Sequence, residues 1–308
     1  MVILYHSEPK RGAHWQQQIK QAFPDIEFRL WPEHGDLNEI TALVVWQLKP
    51  ELLAQLPNLE VIFTVSAGVD QIPTEYIPKH VTLVRMINTD LEQQLTEYAC
   101  MGILNIYRGL PLFTAQQRNH LWKPWYCKPA NQFNIGVMGL GQQGKAVLRG
   151  LQQFHFNCKG WARSQHDIEG VDCFAGTKEL NTFLSDLDVL ICLLPLTAET
   201  KGILNQDIFK ALPQGASLIN MGRGEHVNEE DLIEALNSEQ LGYALLDVAC
   251  VEPLPEQHAF WSHPKVQLTP HIAGITRPEA GFISLKENIE RWQKGLPLLG
   301  VVDLNQGY

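Results

Sequence analysis

The sequence predicts an α/β protein built on doubly wound parallel sheets, and three observations carry that expectation. Short apolar runs alternate with helix-patterned segments throughout the 308 residues. A glycine-spaced turn, Gly139-x-Gly141-x-x-Gly144, follows one such run and opens a helical segment. Charged residues recur just after the apolar runs of the carboxyl-terminal half. Strands alternating with helices imply βαβ units, a parallel sheet and helices on both of its faces.

The runs, in order, are VILY (2–5), ALVVW (42–46), VIFTV (61–65), NIGVMG (134–139), CKGW (158–161), VLICLLP (189–195), ASLINM (216–221), ALLDV (244–248) and VQLTP (266–270). Two features break the rhythm. Residues 89–110 read as a long amphipathic helix, with Leu91, Leu95, Tyr98, Ala99 and Gly102 at helical spacing. A long Pro-, Trp- and polar-rich segment follows, and a structureless stretch of that length is usually functional or an interface. Its Trp122, Trp125 and Tyr126 suggest a subunit contact and hence a homodimer, with an ordinary packed loop as the alternative. A last helix is expected over 276–295, with Thr276 as its N-cap before Arg-Pro-Glu-Ala, and the tail LPLLGVVDLNQGY then packs back on the first domain.

Composition excludes some roles. Apolar content of 45% and charged content of 19% are ordinary for a globular protein. A net charge of −10 argues against nucleic acid or an anionic membrane as partner, while a local cationic pocket can still hold a small anion. No stretch approaches the ~20 apolar residues of a membrane span, and the amino-terminal run enters a strand and turn without signal-peptide organisation, so a cytoplasmic location is expected. The six cysteines lack a C-x-x-C pair, and Cys158 and Cys192 sit in apolar runs as buried hydrophobes. Free thiols are expected, with neither disulfides nor a metal, because His258 and His263 lack partners at ligand spacing.

The glycine turn has the dinucleotide spacing. The first glycine makes the turn, the second admits backbone to a pyrophosphate, and the third lets helix and strand pack closely. An NAD site usually carries Asp or Glu about 20 residues on, accepting from the ribose 2′-hydroxyl. Here that position reads Trp161-Ala162-Arg163-Ser164. Arg163 and Ser164 suit a 2′-phosphate, which favours NADP(H); the alternative is a solvated arginine, with Asp167 serving NAD.

Four residues at strand ends supply the chemistry. His271, in TPHIAG, stands at the carboxyl end of a strand in the turn before a helix, where open α/β sheets present reactive groups. Arg223 lies between Gly222 and Gly224, and its planar five-donor fork suits a carboxylate. Asp247 lies near the end of the ALLDV run and Glu252 follows it before Pro253, and a carboxylate beside an imidazole favours its protonated form. Each alone has a bland reading as surface residue or cap, but their succession on consecutive strands points to one site.

With SAGVDQI (66–72), the glycine turn, LLPLTAETKGIL (193–204), NMGRG (220–224), LDVACVEP (246–253) and TPHIAG (269–274), the chain resembles the D-2-hydroxyacid dehydrogenase family over essentially its whole length. The ITRPE after the histidine and the ending VVDLNQGY are most similar to its branch that reduces glyoxylate and hydroxypyruvate with NADPH. The resemblance implies two Rossmann-like or flavodoxin-like domains with the active site in the cleft between them. These are a substrate domain over 1–100 completed by 276–308, and an NAD(P)-binding domain over 101–275. It implies Arg223, Glu252 and His271 as the catalytic set, with His271 as general acid, and Ala67, Gly68 and Val69 with Arg223 for the substrate. It assigns cofactor contacts to Gly139, Leu140, Gly141, Gln142, Gln143, Gly144, Arg163, Ser164, Leu194, Pro195, Met221, Gly222, Asp247, His271 and Gly274, with NADPH preferred and NADH weaker. Trp46 and Arg277 are possible pocket residues, though packing and a helix start explain them as well. The chain departs from the wider family in lacking the NAD-type acid, and it stops without the regulatory domain of some phosphoglycerate dehydrogenases. The alternatives are a same-fold dehydrogenase of another 2-hydroxy acid and a non-catalytic NADP-sensing scaffold.

Overall fold

The computed structural model describes residues 1–87 and 89–304, leaving out the side chain of Thr89. The chain forms two compact units, Met1–Asp90 with Thr276–Tyr308 and Leu91–Ile275. The first break therefore falls at residue 90 rather than at residue 100.

The first unit is a five-stranded parallel sheet of β1 (Val2–His6), β2 (Glu27–Leu30), β3 (Ile40–Val45), β4 (Val61–Thr64) and β5 (Thr82–Val84), ordered β2-β1-β3-β4-β5. Strand alternation divides its core. Ile3 and Tyr5 join Val44 and Phe63 on one face, while Leu4 joins Leu43 and Ile62 on the other. Helix α1 (Pro9–Ala22) starts where Pro9 sets the first turn and the Glu8 carboxylate accepts from the N–H groups of Lys10 and Arg11 at 2.8 and 2.7 Å. It buries Gly12, Trp15 and Ile19 against the sheet. A short α2 (Pro50–Leu53) covers the other face.

The second unit is a seven-stranded parallel sheet of β6 (Asn134–Met138), β7 (Asn157–Ala162), β8 (Asp172–Ala175), β9 (Val189–Cys192), β10 (Ala216–Asn220), β11 (Leu241–Leu246) and β12 (Val266–Leu268). Its order is β12-β11-β10-β9-β6-β7-β8, so strand order reverses between β6 and β9, the place where such sheets bind ligands. Its helices are α3 (Thr89–Tyr107), α4 (Leu110–Arg118), α5 (Gln142–Gln152), α6 (Gly176–Leu184), α7 (Gln206–Ala211) and α8 (Glu229–Asn237). The central strands β9 and β10 are buried at every residue, as a sheet covered on both faces requires. Cys158 and Cys192 lie in this core, and all six cysteines are free thiols.

Three strands, β2, β5 and β8, lie outside the apolar runs read from the sequence, and all three are sheet edges. Strands β2 and β8 pair on one side and are mostly half-exposed, so they need not form an unbroken apolar run, whereas β5 is buried at Leu83 and Val84 but only three residues long. The segment after α3 also departs from expectation. Gly109 at φ 69° turns the chain, Pro111 sits in the first turn of α4, and regular structure stops only at Arg118. Residues 121–129 have none, and Trp122 and Tyr126 are among the most exposed large side chains.

The chain returns to the first unit through α9 (Pro278–Gln293). Its N-cap is Arg277, without a side-chain cap bond, not the expected Thr276, because Pro278 fixes the first helical position. Trp15 Nε1 donates to the Pro278 carbonyl at 2.8 Å, and a Cβ on Gly281 would lie 2.9 Å from the same indole. Beyond α9, Val301 forms an antiparallel bridge with Val84, and Val302 N–H donates to the Leu83 carbonyl at 2.9 Å. The tail thus blunts the open edge of β5. The final residues of the ending VVDLNQGY, 305–308, lie outside the described residues.

Candidate active site

The three glycines of the turn after β6 have three different physical reasons. Gly139 has φ 106°, and a Cβ there would sit 2.6 Å from the Leu193 carbonyl oxygen beyond β9. A Cβ on Gly144 would lie 1.8 Å from the Gly139 carbonyl, so only glycine lets α5 start this close to the strand. A Cβ on Gly141 would meet nothing within 4 Å. That open position caps α5 without any side-chain acceptor, which leaves the helix N-terminal N–H groups for an anion. Leu140 is buried beneath Gly160, so only its backbone faces the turn, whereas Gln142 is exposed and Gln143 half-exposed. Arg163 and Ser164 follow β7 and are both exposed, with no carboxylate before Asp167. These residues fit a dinucleotide whose ribose carries a 2′-phosphate.

The remaining expected residues fall at the carboxyl ends of adjacent strands: Leu194 and Pro195 after β9, Met221 to Arg223 after β10, Asp247 and Glu252 after β11, and His271 after β12. Arg223 is held by a buried frame. Asn220, fully buried, accepts from the Gly222 N–H at 3.1 Å and donates to the Arg223 carbonyl at 2.9 Å. His226, also fully buried, accepts from the Arg223 N–H through Nδ1 at 3.0 Å and donates from Nε2 to the Pro195 carbonyl at 3.2 Å. Burial holds this imidazole below its ordinary pKa, with the nearby Arg223 charge acting in the same direction. The flanking glycines follow from close approaches: a Cβ on Gly222 would strike the His226 ring at 2.8 Å, and one on Gly224 the Ala249 backbone at 1.9 Å.

Glu252 divides its carboxylate. Oε1 accepts from the Ala249 N–H at 3.0 Å, and Oε2 accepts from His271 Nδ1 at 2.7 Å. Nδ1 therefore carries the proton in this contact, and Nε2 is the nitrogen left to exchange one. The turn around Glu252 is tied down by Glu229, which accepts from the Cys250 N–H at 3.2 Å and from His258 Nε2 at 3.1 Å.

Asp247, expected among the cofactor contacts, has a structural employment. It is buried, with Oδ1 accepting from the Thr269 hydroxyl at 2.6 Å and the Ile272 N–H at 2.9 Å, and Oδ2 from the Ala273 N–H at 2.8 Å. Its carbonyl accepts from the His271 N–H at 2.7 Å. These bonds hold His271 at φ 54°, a left-handed conformation uncommon outside glycine. Gly274 likewise has a packing reason, since a Cβ there would lie 2.5 Å from Leu91.

In the first unit, Ala67, Gly68 and Val69 follow β4, and Val69 buries its side chain in the core. Gln71 Nε2 donates to the Ser66 hydroxyl at 2.7 Å and to the Gly68 carbonyl at 3.2 Å, which fixes the turn. Trp46 follows β3 with over half its surface exposed, and Arg277 pairs with Asp90 at 3.2 Å.

Sequence reasoning passed over His226, Asn220 and Glu229, and weighed His258 only as a metal ligand. The one available signal was position, since Asn220 and His226 bracket Arg223 within a single turn.

A parallel sheet with a glycine turn at its strand-order reversal, and with an arginine and a carboxylate–imidazole pair at adjacent strand ends, defines a dinucleotide-dependent oxidoreductase. The chain belongs to the D-isomer specific 2-hydroxyacid dehydrogenase family, whose NAD binding domain matches residues 100–273. Over 314 aligned residues it is 38% identical to glyoxylate/hydroxypyruvate reductase A of Serratia proteamaculans, covering 100% of both chains. Among solved structures, it is similar to a D-isomer specific 2-hydroxyacid dehydrogenase from Xanthobacter autotrophicus in complex with NADPH and MES, at 33% identity and TM-score 0.93, covering 100% of this chain and 99% of the other. It is also similar to the NADPH-dependent glyoxylate/hydroxypyruvate reductase of Sinorhizobium meliloti in complex with NADP and sulfate, at 34% identity and TM-score 0.91 with the same coverage.

Proposed function

We propose that this enzyme reduces small 2-oxo acids with NADPH, taking glyoxylate to glycolate and hydroxypyruvate to glycerate. The observation that carries the reading is the Glu252–His271 contact at 2.7 Å, beside a strand end bearing Arg223. Backbone N–H groups of Ala67, Gly68 and Val69 receive the substrate carboxylate. The Arg223 fork grips the 2-oxo acid and polarises its ketone oxygen, where negative charge grows during reduction. His271 gives the Nε2 proton to that oxygen, while Glu252 keeps the ring oriented through Nδ1. When bound, NADPH supplies the hydride that reaches the carbonyl carbon. The turn from Gly139 to Gly144 takes the pyrophosphate, Arg163 and Ser164 take the 2′-phosphate, and Leu194, Pro195, Met221 and Gly222 border the dinucleotide by their backbone.

The test is consumption of NADPH and NADH with glyoxylate, hydroxypyruvate and pyruvate in turn. NADPH turnover with the first two is expected, and absence of turnover with every acid overturns the reading. The free thiols fit a reducing, cytoplasmic setting; among the described residues no helix is long and apolar enough to cross a membrane. We further propose a homodimer in which the exposed segment with Trp122 and Tyr126 meets the second copy, which sedimentation of the Trp122→Ala variant checks by its loss of the dimer.

A further inference from the structure

The loop carrying His271 is gripped from outside the sheet by one face of α3. Tyr98 donates its hydroxyl to Thr269 Oγ1 at 2.5 Å, and Thr269 has already given its own proton to Asp247 Oδ1 at 2.6 Å. Burial raises the Tyr98 pKa, so the phenol stays a donor. One helical turn earlier, Gln94 makes a reciprocal pair with the backbone of Ile275: Nε2 donates to its carbonyl and Oε1 accepts from its N–H, both at 3.0 Å. Between these two grips, Leu91 and Leu95 press on Gly274, where a Cβ would lie 2.5 and 3.2 Å from their side chains. The helix thus holds the loop just before and just after His271. His271 itself sits at φ 54°, a conformation that persists in a non-glycine residue only when its surroundings impose it.

We propose that Gln94 and Tyr98 are positioning residues for His271, setting the left-handed loop that aims its imidazole. The proposal rests on reading His271 as the proton donor. It gives α3 a part in the reaction through the loop it holds. Releasing either grip lets the loop relax toward ordinary backbone angles, so the imidazole spends less time in the productive pose. Binding of NADPH and of the 2-oxo acid carboxylate, which other residues carry, is untouched.

Two variants remove one grip each at nearly constant volume, Tyr98→Phe and Gln94→Met. The first measurement needs no turnover: amide hydrogen exchange of the enzyme alone. The amides of His271, Ile272 and Ala273 should exchange about tenfold faster or more in either variant, since Tyr98→Phe loses one supporting hydrogen bond and Gln94→Met loses two. The second is kinetic. Each variant should lower kcat about fivefold to tenfold with KM and NADPH affinity unchanged, since only the chemical step uses the imidazole. In a His271→Ala background the same substitutions should leave the residual rate unchanged, because the group they position is gone. Unchanged amide exchange in both variants overturns the proposal, as does an equal loss of rate with and without His271. Faster exchange in a protein that reduces no 2-oxo acid would leave the grip standing while refuting the proposed reaction, so the two failures are distinguishable. If Tyr98→Phe does not fold, Gln94→Met carries the same measurements.

Discussion

At the scale of single residues, the site pairs each reactive side chain with a fixed partner. His271 has Glu252 on one nitrogen, and Glu252 has the Ala249 N–H on its other oxygen, so neither swings freely. His271→Ala should cost about 10²–10⁴ in the rate of reduction, the usual worth of a positioned acid. NADPH affinity, measured by fluorescence titration, should survive that change. Glu252→Gln keeps the shape but removes the charge facing the ring, so kcat should fall by a smaller factor with KM little changed. A Glu252→Gln enzyme as fast as its parent would make this carboxylate a mere loop anchor. We propose that Arg163 carries cofactor choice, because the strand before it ends with no acid to accept from a ribose hydroxyl. A hydrogen bond to a charged group is worth about 1.5–3 kcal/mol, so Arg163→Ala should weaken NADPH binding at least about tenfold. NADH binding should hardly move, and equal loss for both cofactors would remove the arginine from the phosphate site.

At the scale of elements, the β6–α5 turn separates ligand binding from folding. Gly141 has ordinary backbone angles and open space where its side chain would be. Gly141→Ala should therefore leave the melting temperature of the cofactor-free enzyme unchanged while weakening NADPH, since the methyl enters the space the pyrophosphate needs. Gly144→Ala has no such space, and its Cβ would overlap the Gly139 carbonyl. Overpacking of this kind typically costs about 1–3 kcal/mol, so this variant should melt lower even without cofactor. Calorimetry of the two variants side by side checks the contrast, and similar melting losses in both would contradict it. Helix α3 shows the same division, since one of its faces belongs to the sheet core and its Gln94–Tyr98 face to a loop.

For the whole molecule, one buried and two half-buried histidines set an acid limit. His226, His6 and His263 all have pKa values lowered first by burial from the ordinary 6.5. Below that value the unfolded chain binds protons more readily than the folded one. Their contribution is thus fully present above about pH 6.5 and is lost as pH falls through the lowered folded values. His226 alone can tilt stability by up to about 1.4 kcal/mol per pH unit within that window. Thermal melts from neutral to mildly acid pH should show a falling midpoint, with a shallower fall in His226→Gln. A midpoint that is flat with pH in the unmodified protein would contradict this.

The sequence by itself determined whatever depends on neighbours along the chain. The alternation of runs and helices, the Gly139–Gly144 spacing, the absent acid before Asp167 and the order Arg223, Glu252, His271 are local patterns, and turn geometry and period reveal them directly. Tertiary structure alone decided the pairings between distant residues. Tyr98 meets Thr269 across 171 positions, and Trp15 meets Pro278 across 263. No periodicity encodes such partners. For the same reason the unit boundary moved to residue 90: Leu91 and Leu95 bury themselves against Gly274, and a helix belongs to the surface it covers rather than to the strand it follows. Edge strands β2 and β8 escaped notice because half-exposed pairing leaves only a faint apolar signature, and β5 because three residues are too short to show a period. His226 went unread because only the fold removes its water and offers it two backbone partners, and that desolvation is a property of the packed state.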